Sequence, residues 1–227
     1  GLESSDIDRL DQIVSRSKPY HRNDYLFREG DEFKGIYAVK TGSIKTYVSR
    51  EDGSDQVLGF HLPGEIIGLD AIEAGVHGCT AKILETTAVC LIPYDKLEKL
   101  SGEIPSLQHQ MFRLMSREIS NESNMLVLLG KKNADERLAT FLLSLSQRYK
   151  QRGFSSHEFN LSMSRNEIGN YLGLAVETIS RLFTRFQDEG ILRVERKHVE
   201  LIDLEALKRI SGHCNPHDTS SKSSVSI

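Results

Sequence analysis

No run of apolar residues in this chain approaches the ~18 that would argue for a membrane-spanning helix, and its start is not the charged, apolar and small-residue succession of a secretory leader. A cytoplasmic protein with no membrane partner is the expectation. Cysteine is scarce. Cys79, Cys90 and Cys214 are too few and too scattered for a disulfide framework, and none stands in a C-x-x-C pair that would announce a complete metal site. An excess of one charge is also missing: 29 basic side chains stand against 32 acidic ones, so any nucleic-acid binding must come from where charge is placed. Catalytic signatures are absent too. There is no G-x-S-x-G, no Walker loop and no H-E-x-x-H, and the histidines are scattered, so an enzyme finds no support. The chain starts at Gly1 without an initiator methionine, as a processed or truncated piece would.

The 227 residues that are there suffice for one or two domains. Ile7, Leu10, Ile13 and Val14 recur at helical spacing between Ser4 and Ser15, with Ser4 or Ser5 and Asp6 as N-terminal caps. From Tyr25 to Ile92 the texture changes to short β-forming runs, "GIYAVK", "SIKTYV", "QVLGFHL", "CTAKILE" and "TAVCLI", separated by glycines. This spacing predicts a β-sandwich or roll, with Asp52-Gly53 marking a hairpin. After Pro93 the pattern turns helical: a short turn or helix over Asp95–Leu100, then a long helix opened by Pro105 and running to Gly130. Asn133 and Glu136 form a capping box for a further helix through about Tyr149, which leaves Lys131 and Lys132 at a hinge. "QRGFSSHEF" reads as a loop, and the Ser-rich tail 215–227 as disordered.

Within the long helix, Phe112, Met115, Ile119, Glu122, Leu126 and Leu129 alternate spacings of three and four, the a/d pattern of a helix–helix seam. Packing against the roll alone is the other reading of that stripe. In a two-fold pair Glu122 would face its own copy, and two carboxylates side by side would keep association poised.

"SRNEIGNYLGLAVETISRLFTRF" (164–186) carries the functional signal. Ser164 and Glu167 cap a first helix, Gly173 supplies a turn, and the second helix splits into two faces. Val176, Ile179, Phe183 and Phe186 form an apolar stripe, while Glu177, Ser180, Arg181 and Thr184 form a polar one. A solvated surface would explain the polar stripe by itself. Helix, turn, helix and a following hairpin (191–194 and 198–202) together make a winged helix-turn-helix, whose second helix enters the major groove. Arg181 then suits guanine O6 and N7, and Glu177 suits a cytosine amino group or steadies the guanidinium. Ser180 is small enough to let the helix approach. Arg185, Arg196 and Lys197 suit phosphates, with plain solvent exposure as their alternative.

A β-roll, a heptad helix, a hinge and a winged helix-turn-helix in this order resemble the CRP/FNR family of bacterial transcription regulators. "RNEIGNYLGLAVETISRLFTRFQ" and "GFHLPGEIIGLDAI" are similar to its FNR-like branch. The resemblance spans nearly the whole chain. It implies an α+β fold: a cyclic-nucleotide-binding-like jelly roll (1–104), a dimerisation helix and hinge (105–132) and a DNA-binding domain (133–214). It also implies a homodimer on palindromic double-stranded DNA with TTGAT-type half-sites, and RNA polymerase as a partner, for which the exposed Phe154 is a candidate contact beside a local packing role. Ala175 stands where many relatives have a Ser or Thr cap.

The same resemblance addresses the effector. Relatives that bind cyclic AMP hold its ribose with a glutamate and its phosphate with an arginine; here those places fall on Leu69 and Cys79, so cyclic AMP is not expected. FNR-like members carry an oxygen-labile [4Fe-4S] cluster on three cysteines near the N-terminus and a fourth in the roll. Cys90 matches the fourth, although a lone strand cysteine is otherwise an apolar filler. "GLESSDIDRLDQIV" is similar to the helix following the cysteine segment, so this chain is expected to lack the other three ligands and to hold no complete cluster. A regulator of the same fold gated by heme or a small organic effector, with His77, Cys79 or Cys90 as ligands, is the alternative.

Overall fold

The structure, a computed structural model, describes residues 3–212, so Cys214 and the tail expected to be disordered lie outside the described residues. Two units form: one comprises the residues up to Val127 together with Ser162–Gly173, the other Leu128–Leu161 and the residues from Leu174 on.

In the first unit, α1 spans Ser4–Ile13, shorter than expected, and its N-cap is Glu3, whose carboxylate and that of Asp6 complete a capping box. Ser4 and Ser5 already lie inside the helix. Eight strands follow: β1 (Ser15–Arg16), β2 (Tyr25–Phe27), β3 (Gly35–Thr41), β4 (Ile44–Ser49), β5 (Asp55–His61), β6 (Ile66–Ile67), β7 (Thr80–Ile83) and β8 (Ala88–Pro93). They pair antiparallel as two four-stranded sheets, β1-β8-β3-β6 and β2-β7-β4-β5. Alternation along the strands turns Phe27, Val39, Ile44, Ile67, Ala81, Ile83 and Val89 into one core. The reverse face of the first sheet is covered instead. Ile36 of β3 packs there with Leu97 and Leu100 of α2 (Tyr94–Glu103) and Leu107 of α3 (Pro105–Lys131), joined by Leu10 and Ile13 of α1. Pro105 opens α3 because the first helical position needs no N–H donor.

β5 is an edge strand, and α5 (Arg165–Leu172) covers it. The Asn170 carboxamide accepts from Val57 N at 2.6 Å and donates to Asp55 O, which replaces the missing neighbour strand. Tyr171 meets Phe60 edge to face at 5.2 Å. Glu167, the capping-box partner of Ser164, is shared with Lys45 of β4, whose Nζ lies 2.8 Å from Oε1. Both side chains are mostly buried, 11% and 18% exposed. Burial, the largest single influence, pushes the Glu167 carboxyl up, but the Lys45 ammonium and the Ser164 N–H together hold it below its ordinary value of 4.5.

The second unit holds α4 (Ala134–Lys150), α6 (Val176–Asp188), α7 (Leu204–Ile210) and a three-stranded sheet in the order β10-β11-β9. β9 (Glu158–Asn160) lies in the stretch expected to be a loop; it is too short for a period-two pattern and forms because β11 (His198–Leu201) offers it a free edge. β10 (Leu192–Glu195) and β11 make the expected hairpin. Leu138, Leu142, Ile179, Val199 and Leu207 are all fully buried there. None of the described helices is long and apolar enough to cross a membrane.

Because a depressed carboxyl pKa contributes stability above the unfolded value and loses it as the pH falls through the folded one, the Lys45–Glu167 pair sets an acid limit. Lys45→Met, which keeps the stem and removes the charge, is expected to cost about 1–3 kcal/mol at pH 7. Urea unfolding across pH should show that difference shrinking below about pH 4.5 as Glu167 protonates. A difference independent of pH would contradict the pairing.

Candidate nucleic-acid interface

The recognition-like segment has the local geometry its sequence requires. Ser164 accepts from Glu167 N and Glu167 accepts from Ser164 N, so α5 starts where the capping box puts it. Gly173 ends it in the left-handed region, φ 63°, ψ 38°, where a side chain would be strained. Two residues later α6 begins. Its N-cap is Ala175, and no side chain caps its first turn, so the N–H groups there remain available to an anion such as a DNA phosphate.

Ile179, Phe183 and Phe186 of α6 are buried as expected, but Leu182 completes that face and Val176 is only half-buried. The apolar stripe is therefore wider than the four residues read from the sequence, a normal width for a helix on a core. Glu177, Ser180, Arg181 and Thr184 are all exposed on the opposite side. Ser180 Oγ donates to Val176 O at 2.9 Å and Thr184 Oγ1 to Ser180 O at 3.2 Å, which folds both hydroxyls onto the helix and leaves room beside them. The side chains of Glu177 and Arg181 have no hydrogen-bond or ion-pair partner among the described residues, so Glu177 does not steady the guanidinium in this structure. A guanidinium with its whole donor fork unengaged is what bidentate base contact demands.

Arg185 differs. Its guanidinium is paired with Asp135 in the first turn of α4, and Glu189 Oε1 lies 3.8 Å from its Nε. A phosphate is left only the guanidinium donors that these two carboxylates do not take. The partner lies fifty residues away in the chain, so no local pattern could have exposed it.

In the hairpin, Arg196 and Lys197 form a two-residue turn closed by the Glu195–His198 pair. Arg196 has φ 58°, a left-handed conformation uncommon for a side chain other than Asn, Asp or Gly. Both residues are exposed, which places two cations at the tip of the wing.

The α3 stripe divides by position. Phe112, Ile119 and Leu126 are 63%, 64% and 74% exposed, three large apolar side chains at successive sevens that no other described residue covers. Met115 and Leu129 are half-buried and Glu122 is exposed. Cys90 lies on β8, between Arg16 of β1 and Ala38 of β3, on the face opposite Val89. It is half-buried there. Cys79 belongs to the interior core instead, where burial first, and then Asp70 and Glu29, push its thiol up to about 12. His77 is also inside, 1% exposed and stacked on Phe27 at 3.6 Å. Phe154 is exposed, with its ring edge against Tyr149 at 6.2 Å.

The model of the Crp-like helix-turn-helix domain matches residues 136–210, and that of the cyclic nucleotide-binding domain matches residues 17–103. Over 212 residues the chain is 50% identical to the fumarate and nitrate reduction regulatory protein of Escherichia coli K12, covering 93% of this chain and 85% of that protein. Its identity to the transcriptional activator protein anr of Pseudomonas aeruginosa is 49% over 211 residues, covering 93% and 86%. Among solved structures, FixK2 from Bradyrhizobium japonicum is similar with a TM-score of 0.80 at 30% identity, over 87% of this chain and 97% of that one.

Proposed function

The chain belongs to the CRP/FNR family of DNA-binding transcription regulators, and from that premise we propose that it reads palindromic TTGAT-type sites as a cytoplasmic homodimer whose assembly responds to oxygen. The observation that carries the DNA reading is the exposed polar face of α6, with the Arg181 fork unengaged beside an uncapped helix start. Arg181 donates to guanine O6 and N7, Glu177 accepts from a neighbouring base, and Ser180 and Thr184 permit close approach. Arg196 and Lys197 bind phosphates from the wing, and Arg185, kept in its pair with Asp135, joins them with its remaining donors. Phe154 and its loop are the surface proposed to meet RNA polymerase.

The dimer is proposed to form through Phe112, Met115, Ile119, Leu126 and Leu129, with Glu122 facing its own copy as a brake on association. Support for that seam is the exposure of the three residues at successive sevens.

Cys90 is proposed as one ligand of an oxygen-labile [4Fe-4S] cluster, supported by its half-buried place on the outer sheet face. Among the described residues no group of three or more His, Cys, Asp or Glu could hold a metal ion, so these residues alone do not fit a cluster and the reading requires further thiolates beyond them. Cyclic AMP is not the proposed effector despite the match to a cyclic nucleotide-binding model. The Asp70 carboxylate accepts from Gly78 N at 2.9 Å and sits 3.6 Å from Cys79 Sγ, so a phosphodiester at Cys79 would meet a like charge rather than an arginine. Heme is not favoured either, since His77 is stacked inside the core.

Arg181→Ala should lower affinity for the preferred palindrome by about 1–3 kcal/mol and relax selection at one base position. Anisotropy titrations against matched and scrambled duplexes check this; equal losses on both would make Arg181 a phosphate contact. Cys90→Ser, in a protein that also supplies the further cysteines, should abolish bound iron and sulfide after anaerobic purification. Undiminished iron and sulfide content would remove Cys90 from the ligand set.

A further inference from the structure

The last four carbonyls of a helix have no partner within it, and where water alone takes them the junction beyond is free to bend. The end of α3 is not like that. Its last turn, Leu128–Lys131, lies within the second unit, and only Lys132 and Asn133 separate it from α4. Arg137, one turn into α4, turns its guanidinium back: Nη2 donates to Leu129 O at 2.8 Å and Nε to Lys132 O at 2.9 Å. Two donors on one rigid plane fix both the distance and the rotation between the helices, which a single flexible contact could not. Lys132 adds a second tie, with Nζ 2.8 Å from Thr140 Oγ1 and 2.9 Å from Ser211 O at the end of α7. From the same first turn of α4, Asp135 holds Arg185 of α6. The last turn of α3, the start of α4 and the recognition helix are thus joined in series by side chains.

We propose that Arg137 and Asp135 are positioning residues that set the half-site spacing the dimer accepts. This rests on the reading of a homodimer on palindromic DNA. If the dimer seam on α3 holds two copies together, the angle at which each α6 leaves its α3 decides how far apart the two recognition helices lie along the duplex. A stiff junction penalises any spacing but one, and a loose junction tolerates several. Arg137 touches no base, so affinity for a single half-site does not depend on it.

The test titrates the full chain, wild type and Arg137→Ala, against three duplexes: the palindrome at its preferred spacing, the same half-sites separated by one further base pair, and a single half-site. Wild type should prefer the preferred spacing by at least tenfold over the lengthened one. Arg137→Ala should cut that preference by fivefold or more while half-site affinity stays within twofold. Asp135→Asn, at a pair whose side chains are 40% and 47% exposed, should lower the preference in the same direction by a smaller factor and serves where Arg137→Ala fails to fold. Unaltered spacing preference in the folded variants would overturn the proposal, as would parallel losses on all three duplexes, which denote a structural role. A wild type that binds half-site and palindrome equally well would overturn the dimer reading itself, and the proposal with it.

Discussion

An apolar stripe that the described residues leave uncovered is the constraint on which the proposed function depends. Phe112, Ile119 and Leu126 are each more than three-fifths exposed on a 27-residue helix. Burying such side chains is worth about 1.5–3 kcal/mol each when complete. Six of them across a two-fold seam yield roughly 6–12 kcal/mol after allowance for what is already buried, against an association cost of about 4–15 kcal/mol. The two ranges overlap. A dimer balanced so closely is one that a small added term can decide, whether the repulsion of two Glu122 carboxylates or the bias of a bound cofactor.

Everything downstream converts that balance into DNA recognition. In the proposed reading Arg181 supplies base discrimination, and the uncapped start of α6 and the wing cations supply position. Basic and acidic residues balance between Leu161 and Gly212, so attraction to DNA is local. In the proposed dimer both half-sites are read together, which again returns to the stripe.

Much of this was legible in the sequence wherever the cause is local. The Asn133 and Ser164 capping boxes, Pro105 at a helix start and Gly173 in a left-handed turn each depend on residues within four positions, and each marks an element where it occurs. The a/d spacing picked out Phe112, Ile119 and Leu126, which stand exposed on α3, and the helical periodicity of α6 picked out its buried and exposed faces. Strands β1 and β9 were missed because two or three residues carry no period, and they exist only through Cys90 and Val199 on distant strands. Likewise Asp135 for Arg185, Glu167 for Lys45 and Leu129 for Arg137 are partners that only the folded chain brings together. Arg185 looked like a free cation for that reason alone.

Sedimentation equilibrium of the wild type and Ile119→Glu, each mixed with a palindromic duplex, puts the α3 seam to the test. Ile119 is exposed, so the charge leaves the fold of the single chain intact while placing two further carboxylates in the seam. Two wild-type chains per duplex are expected, and no more than one chain of the variant at the same concentration. Two variant chains per duplex, assembled as tightly as wild type, would contradict it.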